Sequence, residues 1–191
     1  MFLSKYFHAA GFASLVAVAA CLPACSSNKD SSASTSNPIS DGIARDGMTT
    51  TAALNELLGT PPTEWGWAGG AFQTPTDQAV LPASAPYTFT WQADMTSEPN
   101  AGDVLDPNKQ QGQVFLLVFD TPGTAATASH LLRVFTNLDS YTPDPTAWQT
   151  LVGAGDMITL SITTATFEND QLPADGDGGP FAGTSIHFTV Q

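Results

Sequence analysis

The chain has 191 residues, with 18 Asp and Glu against five Lys and Arg, for a formal net charge of −13. That length suits one domain with a tether. So acidic a chain is repelled by nucleic acid and anionic lipid headgroups, which leaves basic partners or divalent cations as attractors and simple solubility as the plainer reading. Three His and two Cys make a zinc site of the usual ligand types hard to assemble.

The N-terminus has Lys5 in a short polar stretch, then a small apolar run from Ala9 to Ala20, then Cys21 and Cys25. This is the layout of a secretory signal, and the apolar run is far short of the roughly 20 residues a spanning helix needs. Val18-Ala19-Ala20-Cys21 and Leu22-Pro23-Ala24-Cys25 overlap as two boxes of small residues ending in cysteine. The segment resembles a bacterial lipoprotein signal, whose family cysteine carries a diacylglycerol and usually a third acyl chain. Residues 1–24 are then the signal and Cys25 the lipidated residue, with Cys21 the alternative. Cleavage before Cys25 also removes Cys21, whereas cleavage at Cys21 leaves Cys25 as an odd thiol in an oxidising compartment. After cleavage before Cys25, four basic against 18 acidic residues give a charge of −14. Neither Leu22 nor Ser26 is aspartate, which by the same resemblance permits outer-membrane sorting.

Ser26 to Asn37 holds no apolar residue larger than alanine and cannot build a core. It reads as a flexible Ser-rich tether, continued through the turn pairs Asp41-Gly42 and Asp46-Gly47, so that residues 25–47 form the spacer. Residues 48–70 read as a short helix and a Trp/Gly-rich linker. Thr49 to Leu58 predicts the helix, with a threonine as N-cap, Gly59 as C-cap, Pro61 and Pro62 beyond, and Leu54, Leu57 and Leu58 as an apolar stripe that docks on the domain. Trp65 and Trp67 follow among glycines. Exposed, they suit stacking on a sugar ring; packing on their own domain is the commoner role of such residues.

From Phe72 onward the apolar period is two. Tyr87, Phe89 and Trp91 alternate with threonines, Val114 to Phe119 is continuously apolar as in a central strand, and Ile158, Leu160, Ile162 and then Ile186, Phe188, Val190 alternate again. Leu132, Val134 and Leu138 fit one face of a strand, while Thr124 to Phe135 also fits a short helix; a strand is expected for the second half of this stretch. With short strands near Phe72 to Thr74 or at Val80-Leu81, six or seven strands make residues 71–191 an all-β, two-sheet sandwich. The last strand reaches Val190, so no further domain is expected beyond it. The proline-rich stretch Thr74 to Pro86, leading to Tyr87-Thr88-Phe89-Thr90-Trp91, resembles the opening of an Ig-like (fibronectin type III-like) domain. The resemblance implies that Gln113 to Phe119, Met157 to Thr163 and Thr184 to Val190 complete the pattern and that Trp91 is core.

Asp175 and Asp177, alternating with glycines, are the candidate calcium ligands, with Asp103 to Asn108 as a second source of oxygens; an acidic hairpin loop is the plainer reading. The closing glutamate of an EF-hand is missing. Trp148 reads as packing on a short helical turn, and His130 and His187 read as solvated surface residues. Gly-x-Ser-x-Gly, the phosphate-loop pattern and His-Glu-x-x-His are absent, so an enzyme is not expected. The expected protein is a lipid-anchored, non-catalytic interaction or assembly module of the bacterial envelope, with no required cofactor. Its partner is an envelope protein or a glycan, a carbohydrate- or matrix-binding adhesin being the alternative, and nucleic acid is not among its partners.

Overall fold

The continuous apolar run Val114 to Phe119 lies in the central strand of the molecule, with apolar groups on both its faces. The computed structural model describes residues 43–64, 69–92, 106–121, 130–155 and 157–191. Among these the elements run β1 (Ile43–Asp46), α1 (Thr51–Gly59), β2 (Thr63–Glu64), β3 (Ala71–Thr74), β4 (Ala79–Leu81), β5 (Phe89–Gln92), β6 (Gly112–Asp120), β7 (Leu132–Thr136), β8 (Ser140–Tyr141), α2 (Pro145–Gly153), β9 (Ile158–Phe167) and β10 (Phe181–Val190).

Two sheets form. The first has the order β1-β7-β6-β9-β10, and β2 and β4 share the far edge of β10, β2 at its start and β4 at its end. The second is β3-β5-β8. The long antiparallel register of β6 on β9, from Gly112↔Phe167 to Asp120↔Thr159, is the backbone of the first sheet. The predicted two-sheet, mostly β architecture is therefore present. Its details differ from the four-plus-three antiparallel sheets of a constant-type Ig sandwich: the first sheet has seven strands, and β1 on β7, β2 on β10 and β4 on β10 are parallel pairs.

Between the sheets lies an aromatic core. Phe89 sits 5.2 Å from Phe119 and 5.4 Å from Phe188, ring centre to ring centre, and Trp91 meets Phe115 edge-on at 5.5 Å. Such offset and T-shaped pairs suit the ring quadrupoles. Leu117, Val134, Leu160 and Ile162 fill the same layer, as the period-two pattern predicts. α2 contributes Trp148 and Leu151 to this core, and the Trp148 indole N–H donates to the Ala83 carbonyl at 3.2 Å. The helix begins where its sequence dictates: Pro145 needs no N–H partner at a first turn, and the Asp144 carboxylate accepts from the Thr146 and Ala147 N–H groups.

A second core lies on the opposite face of the first sheet. There α1 covers Ile43, Val114, Phe135, Ala165 and Phe167 with Ala53, Leu54 and Leu57. This explains why β6 is apolar on both faces: Phe115, Leu117 and Phe119 look to the other sheet, while Val114 and Leu116 lie under the helix. Thr50 caps α1 by accepting from the Ala53 N–H at 3.2 Å, and its hydroxyl bonds the Asp170 carboxylate. The docked face differs by one residue from the expected stripe. Ala53 is buried and Leu58 is exposed, because positions 53, 54 and 57 share the side that meets the sheet, and a small side chain lets the helix approach closely. The helix also runs through Gly59, so Thr60 is its C-cap.

The expected spacer and linker boundaries need correction. Residues 43–46 are not tether but β1, paired in register with Arg133 to Thr136, and Ile43 is 0 % exposed. Residues 48–64 are not merely a linker, since α1 closes the second core and β2 pairs with β10. The reason is that a single large apolar residue, Ile43, finds a neighbouring strand and a helix to bury it, which local composition does not reveal. At Gly69 and Gly70 the chain crosses from the first sheet to the second over the bulge in β10, where Thr164 Oγ1 and the Thr184 N–H donate to their carbonyls. A Cβ on Gly69 would overlap the Ala182 carbonyl, and one on Gly183 would overlap that of Gly69.

Candidate functional site

One end of the space between the sheets opens as a groove of ≈ 680 Å³ lined by Gln73, Trp91, Gln92, Gln113, Phe115, Asn137, Leu138 and Asp139. Four elements converge there. β3 supplies Gln73 just inside its register shift, β5 ends in Trp91 and Gln92, β6 begins with Gln113 and Phe115, and the turn between β7 and β8 supplies Asn137 to Asp139. The backbone holds these pieces together, since the Trp91 N–H donates to the Asp139 carbonyl at 3.1 Å.

The groove exists because the inward phase of the first sheet changes character along its length. Leu117 and Phe119 of β6, and Ile158, Leu160 and Ile162 of β9, are apolar and buried. Toward the groove end the same phase carries Gln113 on β6 and Thr164 and Thr166 on β9, with Thr136 on β7 beside them. Thr136, Thr164 and Thr166 are nevertheless buried. Phe115 and Trp91 are the last aromatic layer before this polar zone, and their edge-on pair forms the groove's apolar floor.

The polar lining is partly committed. Gln73 Nε2 donates to Gln92 Oε1 at 3.1 Å, which ties the two rim amides, and Asn137 Oδ1 accepts from the Met48 N–H at 2.9 Å. Two buried donors are uncommitted. Trp91 Nε1 and Gln113 Nε2 have no hydrogen-bond partner among the described residues. A buried, unpaired polar group costs about 1–3 kcal/mol; of six such side-chain atoms among the described residues, these two belong to the groove lining. Asp139 is exposed and is the single ionisable side chain in the lining.

Of the residues singled out from sequence, Trp91 lines the groove, and Asp175, Asp177 and Asp106 are not in its lining. Cys21, Cys25, Trp65 and Trp67 lie outside the described residues. Asp175 and Asp177 are exposed in the turn before β10, where the Asp175 carboxylate accepts from the Asp177 N–H at 3.1 Å. Of the second proposed oxygen source, Asp106 is occupied locally, its carboxylate accepting from the Asn108 N–H at 2.9 Å. Among the described residues no three His, Cys, Asp or Glu side chains come together to hold a metal ion. Trp91 is 2 % exposed, as the inward phase of β5 predicts, yet its edge also borders the groove.

The two histidines are more engaged than a solvated reading implies. His130 Nδ1 lies 2.7 Å from the Asp120 carboxylate, and His187 Nδ1 lies 3.2 Å from that of Asp77. Asp77 also accepts from the His187 backbone N–H at 2.7 Å. That backbone bond is the main reason the Asp77 carboxyl is held below its ordinary pKa, with the bond from the His187 ring second. Asp120, Thr159 and His187 follow one another across β6, β9 and β10, on the face of the sheet turned away from the aromatic core.

Gln73, Gln113, Asn137 and Asp139 drew no attention in the sequence, since each is an ordinary polar residue in a strand or turn. One signal was legible: the alternation Ile158, Leu160, Ile162 continues in phase into Thr164 and Thr166, and Gln113 stands in phase with Phe115 and Leu117. A polar residue at an inward phase is the informative exception. Among the described residues no helix is long and apolar enough to cross a membrane. No protein-family model, curated protein or solved structure matches this chain.

Proposed function

We propose that this chain is a lipid-anchored, non-catalytic binding module of a bacterial cell envelope, sorted to the outer membrane and presenting its groove to a ligand there. The observation that carries the reading is the pair of overlapping lipoboxes ending in Cys21 and Cys25 with a serine-rich stretch directly behind them. Buried acyl chains gain about 0.8 kcal/mol per CH₂, and two or three chains hold stably where one holds marginally. With β1 starting at Ile43, the stretch from Ser26 to Gly42 is 17 residues. It reaches at most about 60 Å, at roughly 3.3–3.6 Å per residue. The sandwich is thus held close to the membrane without entering it. The finer Ig-like, fibronectin type III-like relationship is supported by the strand ending in the buried Trp91, and the parallel pairs speak against it. Display and binding need only the sandwich.

The test is membrane fractionation and metabolic labelling with a fatty acid. The native chain is expected in the membrane pellet and labelled; the Cys21→Ala, Cys25→Ala double variant is expected unlabelled and in the soluble fraction. Retention of the double variant in the pellet would remove the anchor. Single variants decide between the cysteines, with Cys25→Ala expected to lose the label.

A further inference from the structure

We infer that the groove between the sheets takes a neutral saccharide, an inference that rests on the binding-module reading and names the ligand of that site. Four planar amides and one carboxylate line it: Gln73, Gln92, Gln113, Asn137 and Asp139. Gln73 and Gln92 are bonded to each other and Asn137 Oδ1 to the Met48 N–H, so these three offer their remaining donor and acceptor capacity to the hydroxyls of a sugar ring, beside Gln113 and the Asp139 carboxylate. A hydroxyl both donates and accepts, so a sugar offers an acceptor to a donor such as Gln113 Nε2 and a proton to an acceptor such as the Asp139 carboxylate, both residues of the lining. Gln113 lines the groove while its Nε2 is buried without a partner, and the last torsion of a glutamine side chain has broad, shallow preferences. Trp91 and Phe115, both nearly buried, leave a small apolar area at the floor for the ring carbons of a sugar. The volume of ≈ 680 Å³ lies within the roughly 300–1,000 Å³ of small-ligand clefts.

Charge narrows the class. The groove holds no Lys or Arg, its one ionisable group is acidic, and the chain as a whole carries −13. Phosphorylated, sulfated and uronic acid ligands are therefore repelled. An extended peptide is the competing occupant, and it needs a strand edge to pair with. β5 is paired on both sides by β3 and β8, and β6 by β7 and β9, so the one groove strand with an edge to offer a peptide is the short, bulged β3 that supplies Gln73. What the groove presents is side-chain amides and an aromatic floor.

The experiment uses the full chain in detergent micelles, titrated by calorimetry with neutral hexasaccharides of glucose, mannose and galactose, and with a hexamer of galacturonic acid as the acidic counterpart. At least one neutral hexamer is expected to bind and the acidic one not to. Gln113→Leu and Asp139→Ala are each expected to weaken binding about tenfold, the size of one lost hydrogen bond. Asp139 is exposed, so its variant keeps the native melting temperature and the loss cannot be assigned to unfolding. Failure of every neutral hexamer to bind up to about 10 mM, binding of the acidic hexamer alone, or binding unchanged in both variants would overturn the inference. Binding of unrelated extended peptides in place of the sugars would do the same. Such a failure leaves the anchored-module reading standing, because that reading is decided separately by fractionation of the cysteine variants.

Discussion

Truncating Ile43 tests the least expected part of the fold. Its side chain is 0 % exposed and sits among Leu54, Leu57, Val114, Phe135 and Phe167, between the first sheet and α1. Buried Ile→Ala changes cost about 2–5 kcal/mol, the lower values where the surroundings collapse into the space. β1 is an edge strand beneath a helix of nine residues, so partial collapse is expected and about 3 kcal/mol is the working value for Ile43→Ala. In a domain of this size 1 kcal/mol moves the melting temperature by about 2–4 °C, so the expected drop is about 6–12 °C. Ile43→Val removes one methylene and should cost about 0.5–1.5 kcal/mol. Met48→Ala, at a side chain 75 % exposed, is the control and should stay within about 0.5 kcal/mol. Urea unfolding of the full chain, followed by tryptophan emission, gives the same quantities; the midpoint should fall while the slope is unchanged. If Ile43→Ala matches the control, residues 43–46 are spacer after all and the second core does not hold β1. A fall in slope together with the midpoint would mean that β1 and α1 unfold separately from the sandwich, which contradicts a second core that unfolds cooperatively with the first.

Tyr141 is buried with its hydroxyl unpaired, and burial, with the Asp144 and Asp46 charges adding to it, pushes its pKa up. Tyr141→Phe should therefore raise stability by about 1 kcal/mol, since it removes an unsatisfied polar group. The sign with pH follows: the unfolded tyrosine ionises near about 10 and the folded one later, so stability is full below that pH and falls as pH rises past it, and melting curves of Tyr141→Phe should lose much of that alkaline decline. Asp77 works in the other direction. Its carboxyl is held low by the His187 N–H, so its contribution is present above the ordinary carboxylate range and is lost as pH falls through it; Asp77→Asn should flatten the acid limb of a stability–pH profile, and an unchanged limb would refute the assignment. Gly183→Ala drives a Cβ into the Gly69 carbonyl at the point where the chain changes sheets, and should cost at least the roughly 1–3 kcal/mol of core overpacking; a melting temperature equal to the native one would show that the crossing is looser than described.

Much of the sandwich was legible because strand burial repeats every two residues. Phe89 and Trp91, and Ile158, Leu160 and Ile162, all point where that phase puts them, and the caps Thr50 and Asp144 start their helices by local chemistry. The acidic charge and the small-residue boxes ending in Cys21 and Cys25 are likewise properties of the chain itself. Tertiary structure decided the rest. β1 has one large apolar residue in four, too little for a periodic signal, and becomes a strand because β7 supplies its partners and α1 its cover. The parallel pairs of β10 with β2 and β4 bring together segments more than 100 residues apart, which no local pattern encodes. The groove is the clearest case. Gln73, Gln113 and Asp139 are separated by 40 and 26 positions along the chain and carry no shared motif. They meet because β3 joins β5, β6 lies across from it, and the turn after β7 folds back onto Trp91. A strand's phase is set within a few residues, so sequence reports it; a site assembled from the ends of four elements is set by pairing at long range, so only the folded chain does.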